Sequence, residues 1–218
     1  MQSPSRGLYA IVSPPPLSSD EPAFLRRVEA IVRGGAARVQ LRSKDDRDDR
    51  ARLQLIEAVL RRCHDAGVPL VVNDRADLAF AAAADGVHVG DRDLPPPAAR
   101  RILGPMALVG TSTHTVEQLV QADRDGGACH LALGPVWPSP TKSGHAAVTG
   151  VDVLRAACAA TRRPVVAIGG ITTEERARAA IAAGAAFVAV VSALQGDDPD
   201  AVFAATERFA RASQPATS

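Results

Sequence analysis

Aromatic residues make up only 3% of this 218-residue chain, with one tryptophan and one tyrosine. That excludes a stacking platform for single-stranded nucleic acid. Charge of one sign is also missing: 25 basic and 24 acidic residues leave a formal net charge of +1, which argues against nucleic acid or a membrane surface as partner. The three cysteines, Cys63, Cys129 and Cys158, are scattered and lack CxxC spacing. They read as reduced thiols of a cytoplasmic protein, not as a disulfide framework or a zinc site. No apolar run approaches the roughly 18 residues needed to cross a bilayer, and the N-terminus lacks a charged-then-apolar signal pattern. No GxGxxG follows the first strand-like run, which weakens a dinucleotide-binding reading.

What the chain does have is alternation. Eight short apolar runs read as buried parallel strands: Leu8–Val12, Ala37–Leu41, Leu70–Val72, Gly86–Val89, Ala107–Gly110, His130–Leu133, Val165–Ile168 and Phe187–Val191. The stretches between them carry helical spacing. Leu53, Ile56, Val59 and Leu60 share one face, with Arg50, Arg52 and Arg61 outside it. Thr172 to Glu175 fits a capping box with Thr172 as N-cap, and Gly67 and Gly184 fall where a helix C-terminal glycine belongs. The expected fold is α/β, a single (β/α)8 TIM barrel over residues 7–212, with 1–6 and 213–218 as flexible tails; an open doubly wound sheet is the competitor.

In such a barrel, chemistry gathers where the strands end. The polar residues there are Gln40, Arg42 and Lys44; Asn73 and Asp74; Asp91, Arg92 and Asp93; Thr111 to His114; Ser139, Thr141 and Lys142; Gly169 and Gly170; and Ser192. Asp74 and Asp93 are a natural pair for Mg2+, which takes one or two protein carboxylates plus phosphate oxygens. Arg42, Lys44 and Lys142 would neutralise phosphates, arginine bidentately and the lysines as point charges. Lys142 follows a proline-fixed loop and should be better positioned than Lys44. The strand, Gly169-Gly170 turn and following helix start suit a phosphate, because free N–H groups and the helix dipole both favour an anion. Plainer readings stand beside these. Asn73-Asp74 could cap a helix, Gly169-Gly170 could merely allow a tight turn, and His114 could be an acid–base group or structural. His88 reads as a core or rim residue, and Asp91-Arg92 as a surface turn.

The segments Val39-Gln-Leu-Arg-Ser-Lys44, Val71-Val-Asn-Asp-Arg75, Ala84-Asp-Gly-Val-His-Val-Gly90 with Asp93, Gly110-Thr-Ser-Thr-His114, Leu133-Gly-Pro-Val-Trp-Pro-Ser-Pro-Thr-Lys142, Ala167-Ile-Gly-Gly-Ile171 and Val190-Val-Ser192 together resemble the thiamine phosphate synthase family, in family order. The resemblance implies a transferase of thiamine biosynthesis. Hydroxymethylpyrimidine diphosphate loses diphosphate through a pyrimidine carbocation, and the thiazole phosphate nitrogen attacks the freed methylene. Mg2+ is the implied cofactor, and small phosphorylated molecules are the implied partners. Arg42, Lys44, Lys142 and Ser112 would be the catalytic set. Gln40, Arg42, Lys44, Asn73, Ser112 and Lys142 would hold the pyrimidine diphosphate. Ser139, Thr141, Gly170, Val191 and Ser192 would hold the thiazole phosphate, and Asp74 and Asp93 the metal. Barrels of this kind are often homodimers.

Some residues depart from the family pattern. Ser43 stands where the family often has glutamate, and Ser139 where it usually has threonine. Ser13 after the first strand, and the segment 143–148, look closer to a sister group that includes a thiazole tautomerase. That tautomerase carries a histidine at the position of Pro135. The retained carboxylates and phosphate cations favour the synthase, since a tautomerase has no diphosphate to neutralise. An isomerase of the tautomerase type and a non-catalytic barrel that binds thiamine intermediates are the alternatives. Residues 138–148 are expected to close over substrate.

Overall fold

The computed structural model describes residues 6–16, 20–138 and 147–215. Eight strands form a closed parallel barrel: β1 Gly7–Val12, β2 Arg38–Leu41, β3 Leu70–Asn73, β4 Gly86–Val89, β5 Leu108–Thr113, β6 His130–Leu133, β7 Val165–Ala167 and β8 Phe187–Val190. The register closes the ring, with Tyr9 opposite Arg38 on one side of β1 and opposite Ala189 on the other. Helices α1 Glu21–Arg33, α2 Asp49–Asp65, α3 Ala76–Ala81, α4 Pro96–Leu103, α5 Val116–Asp125, α6 Gly150–Ala160, α7 Glu174–Ala182 and α8 Pro199–Ala212 alternate with the strands. No helix among the described residues is long and apolar enough to cross a membrane.

Period-two alternation divides the apolar residues into two cores. Leu8, Ala10, Val12, Val39, Leu41, Leu70, Val72, Val87 and Val89 face outward and pack with Phe24, Val28, Ile31, Ile56, Val59 and Leu119 beneath the helices. Tyr9, Ile11, Val71, Ala132, Val166, Phe187 and Ala189 face inward and fill the barrel. The inward set continues into polar groups: Arg38, Gln40, His88 and His130 are all buried. The Arg38 guanidinium lies 4.1 Å from the centroid of the Phe187 ring, so its desolvated charge gains a π face in place of water.

Four expectations are corrected. Strand β5 runs to Thr113, so Thr111, Ser112 and Thr113 lie on the strand instead of after it; β-branched threonines suit a strand. The N-cap of α7 is Thr173, not Thr172, and its side chain accepts from Arg176 N. On α2 the expected face holds, with Ile56 and Val59 buried and Leu53 and Leu60 packed against the core, and Leu55, Ala58 and Cys63 join it; the correction there is to Arg52. Arg52 is drawn off the outer side because its Nη2 donates to Asp45 O at 2.8 Å. At the end of the chain Ser213 is buried and its hydroxyl donates to Phe209 O at 2.7 Å, so this residue is packed and not part of a tail. Gly67 and Gly184 do follow helix ends with positive φ. Cys63, Cys129 and Cys158 are free thiols.

Candidate active site

A cavity of about 120 Å3, open to solvent at its mouth, lies at the carboxyl ends of the strands. Tyr9, Ile11, Ala132, Val166 and Ala189 make an apolar floor and wall, interrupted by Gln40, His88 and Ser112. Gln40 Nε2 donates to the Tyr9 hydroxyl at 3.1 Å, and His88 Nε2 lies 2.9 Å from Ser112 Oγ. Buried behind them, His130 Nδ1 is 3.4 Å from both Arg38 Nη1 and Cys129 Sγ, while its Nε2 has no hydrogen-bond partner among the described residues. Burial holds the His130 imidazole neutral, well below its ordinary pKa, and the nearby His88 and Arg38 push the same way. Gly110 makes room for both imidazoles: a Cβ there would come within 2.1 Å of His130 Nε2 and 2.7 Å of His88 Nδ1.

One rim of the cavity carries charge. Arg42 and Asn73 line it, and Arg42 makes no salt bridge among the described residues. The loop that carries Arg42 and Lys44 is braced from below. Ser43 Oγ donates to Asp45 Oδ1 at 3.1 Å, Arg47 pairs with Asp45, and Arg47 Nη2 donates to Pro15 O at 3.1 Å. After β3, Asp74 takes a left-handed φ of 65°, a strained state for a residue with a Cβ. It is not a helix cap, because the N-cap of α3 is Arg75. The Arg75 guanidinium spans Asp49 and Asp77, with contacts of 2.6–3.0 Å, and so fixes the turn that presents Asp74.

Asp74 pairs with Lys44 and lies close enough to Asp93 for the two carboxyls to act on each other. Burial raises the Asp74 carboxyl above the usual carboxylate range; Lys44 pulls it down and Asp93 pushes it up. Asp93 is oriented by Gly90 N–H, which donates to its Oδ2 at 2.7 Å. Two hard carboxylates that disfavour each other's charge fit Mg2+, which needs only one or two such ligands beside substrate phosphate. No cluster of three or more metal-binding side chains exists among the described residues.

The opposite rim is backbone. Gly169 and Gly170 have φ of 96° and 67° and lead into α7. The N–H groups of Gly169, Gly170 and Ile171 donate to no acceptor among the described residues. Val191 and Ser192 join them at the cavity wall, where Ser192 opens a short 3-10 turn, Ser192–Leu194. Loops after the seventh and eighth strands with a short extra helix are the usual phosphate station of this fold.

The structure therefore gathers Gln40, Arg42, Asn73, Ser112, Gly170, Val191 and Ser192 around one cavity, with Lys44, Asp74 and Asp93 clustered beside Arg42 and Asn73. Ser139, Thr141 and Lys142 lie outside the described residues, as does most of the 138–148 segment. His114 does not line the cavity, and its Nδ1–H donates to Gly134 O at 2.6 Å. Asp91 and Arg92 are exposed in a turn. Sequence reasoning missed Tyr9 and placed His88 in the core or rim, whereas both line the cavity. The signal for Tyr9 was its parity with Ile11 on the inward face of β1.

The family profile described as thiamine monophosphate synthase matches residues 8–194. The chain is similar to a thiamine-phosphate synthase of Roseiflexus castenholzii, 44% identical over 84% of this chain and 80% of that one. It is also similar to a thiamine-phosphate synthase of Acidothermus cellulolyticus, 42% identical over 94% and 93% of the two chains. Among solved structures, a thiamine phosphate pyrophosphorylase from Pyrococcus furiosus superposes with a TM-score of 0.82 at 30% identity, covering 96% of each chain.

Proposed function

Because the chain belongs to the thiamine monophosphate synthase family, we propose that it joins hydroxymethylpyrimidine diphosphate to a thiazole phosphate, releasing thiamine phosphate and diphosphate. The observation that carries the reading is a cation-bearing rim and a rim of backbone amides around one cavity, which we read as two anion stations. Arg42, Lys44 and the Asp74–Asp93 pair stand on one rim, and the Gly169–Ile171 amides stand on the other. Two phosphorylated substrates need both.

The apolar wall receives the pyrimidine ring, while Gln40 and Ser112 offer hydrogen bonds to its edge. Arg42, Lys44 and Asn73 hold the diphosphate, and Lys142 is proposed to act with them. Ser139, Thr141, Gly170, Val191 and Ser192 hold the thiazole phosphate and so aim the ring nitrogen at the methylene. Asp74 and Asp93 would hold Mg2+, which when bound neutralises charge on the leaving diphosphate. No protein nucleophile is required, because the aminopyrimidine itself stabilises the carbocation. The free thiols support a reducing, cytoplasmic setting, and a homodimer is the proposed assembly.

One observation favours a second reading. The His88–Ser112 pair, 2.9 Å apart, is an acid–base couple of the kind a tautomerase-like isomerase would use. Asp74→Ala separates the two. It should abolish condensation by removing metal binding while sparing thiazole carboxylate isomerisation. Full condensation activity in Asp74→Ala would refute the proposed metal role.

A further inference from the structure

Arg176 is the third residue of α7. The positive end of a helix dipole disfavours a cation in this first turn, and Glu174 and Glu175 beside it follow the expected sign. Arg178 and Arg208 pair with Glu174, but Arg176 makes no salt bridge among the described residues. Its Nη1 instead donates to Gly170 O at 2.5 Å and lies 3.4 Å from Thr172 Oγ1. Its guanidinium carbon is 5.8 Å from the Trp137 ring centroid.

These contacts fall on both walls of the backbone rim. The peptide between Gly170 and Ile171 is planar, so its C=O and N–H point in opposite directions. Holding Gly170 O on Arg176 keeps Ile171 N–H turned the other way, and Ile171 lines the cavity. The second wall is Trp137. Its N–H donates to Gly169 O at 3.1 Å, and its Cβ would be 2.7 Å from a Cβ on Gly170. One guanidinium therefore ties the turn to the segment packed against it and places positive charge behind amides that have no acceptor among the described residues.

We infer that Arg176 is a positioning residue for the phosphate station, holding the Gly169–Ile171 amides for a phosphate monoester dianion. The inference rests on the phosphate reading of this turn and adds to it a residue that acts through the peptide instead of touching the ligand.

The test compares Arg176→Gln and Arg176→Lys with Arg178→Gln, which removes the same charge from the exposed side of α7. Affinity for inorganic phosphate and for thiazole phosphate is measured by calorimetry. Emission of Trp137, the only tryptophan in the chain, reports on the same wall, and thermal unfolding checks the fold of each variant. Arg176→Gln should weaken both ligands by about tenfold, the scale of a charge-assisted contact. It should raise KM for thiazole phosphate alone and shift Trp137 emission. Arg176→Lys should recover part of the affinity and Arg178→Gln should match wild type. Phosphate affinity within about twofold of wild type in Arg176→Gln, equal KM increases for both substrates, or an equal loss in Arg178→Gln would overturn the inference. Wild-type protein that binds no phosphate would overturn it together with the station. Wild-type protein that binds phosphate but does not condense the substrates would refute only the activity, and the affinities would still decide the role of Arg176.

Discussion

Gly170→Ala tests the backbone rim at its tightest point. Gly170 has φ of 67°, and an L-residue in the left-handed region costs about 1–2 kcal/mol. The added Cβ would also sit 2.4 Å from Pro138 O and 2.7 Å from both Trp137 Cβ and Trp137 O. Two of these obstacles are backbone oxygens. The segment is pinned because Val136 N donates to Ile168 O at 2.9 Å and Trp137 N to Gly169 O at 3.1 Å. Relief must break one of those bonds or turn the Gly170 peptide, adding about 1–3 kcal/mol. The total, about 2–5 kcal/mol, should lower the unfolding midpoint by roughly 4–20 °C for a chain of this size. A turned peptide no longer presents its amides, so KM for thiazole phosphate should rise by about tenfold or more. Gly104→Ala is the kinetic control: at φ of 87° and ψ of 173° it carries backbone strain far from the cavity, with nothing within 4 Å of a built Cβ. It should lose stability with unchanged kinetics. Calorimetric scanning and steady-state kinetics on the pair decide the matter. A Gly170→Ala variant as stable as wild type, with an unchanged KM, would refute the close packing of turn and loop.

His130 predicts a pH dependence. Its imidazole is held neutral in the folded protein, far below the ordinary value of 6.5, whereas the unfolded chain takes up a proton near that pH. Stability is therefore fully present above about pH 6.5 and falls as pH drops below it, by up to about 1.4 kcal/mol per pH unit. Urea unfolding of His130→Phe at several pH values should show this slope reduced by close to one proton; an unchanged slope would refute the burial argument. For the two lysines, Lys142→Ala should cost far more in kcat/KM than Lys44→Ala, whose ammonium is already paired with Asp74. Equal losses would refute that ranking.

The barrel was legible because each strand is a short apolar run with turn signals on both sides, and because inward and outward residues alternate along β1 from Leu8 to Val12. Much of the site was legible for a related reason. In a parallel barrel, the residues just past each strand share one mouth, so Arg42, Asn73, Gly170 and Ser192 converge without long-range knowledge. The end of β5 was misread because Thr111-Ser112-Thr113 looks like a polar loop, whereas alternation sends Ser112 to the cavity and buries the two threonines. Arg38 and His130 were missed because charged or polar side chains inside a barrel contradict a simple apolar pattern. They are tolerated only through contacts from other strands, Phe187 and Tyr9 among them. Arg176 was invisible for the same reason, since its role depends on Gly170 and Trp137.

The most direct measurement mixes the purified protein, Mg2+, hydroxymethylpyrimidine diphosphate and thiazole phosphate, and follows thiamine phosphate as fluorescent thiochrome after oxidation. The account predicts product that depends on the protein, stops when a chelator is added, and returns with excess Mg2+. Folded protein that forms no thiamine phosphate under these conditions would contradict it.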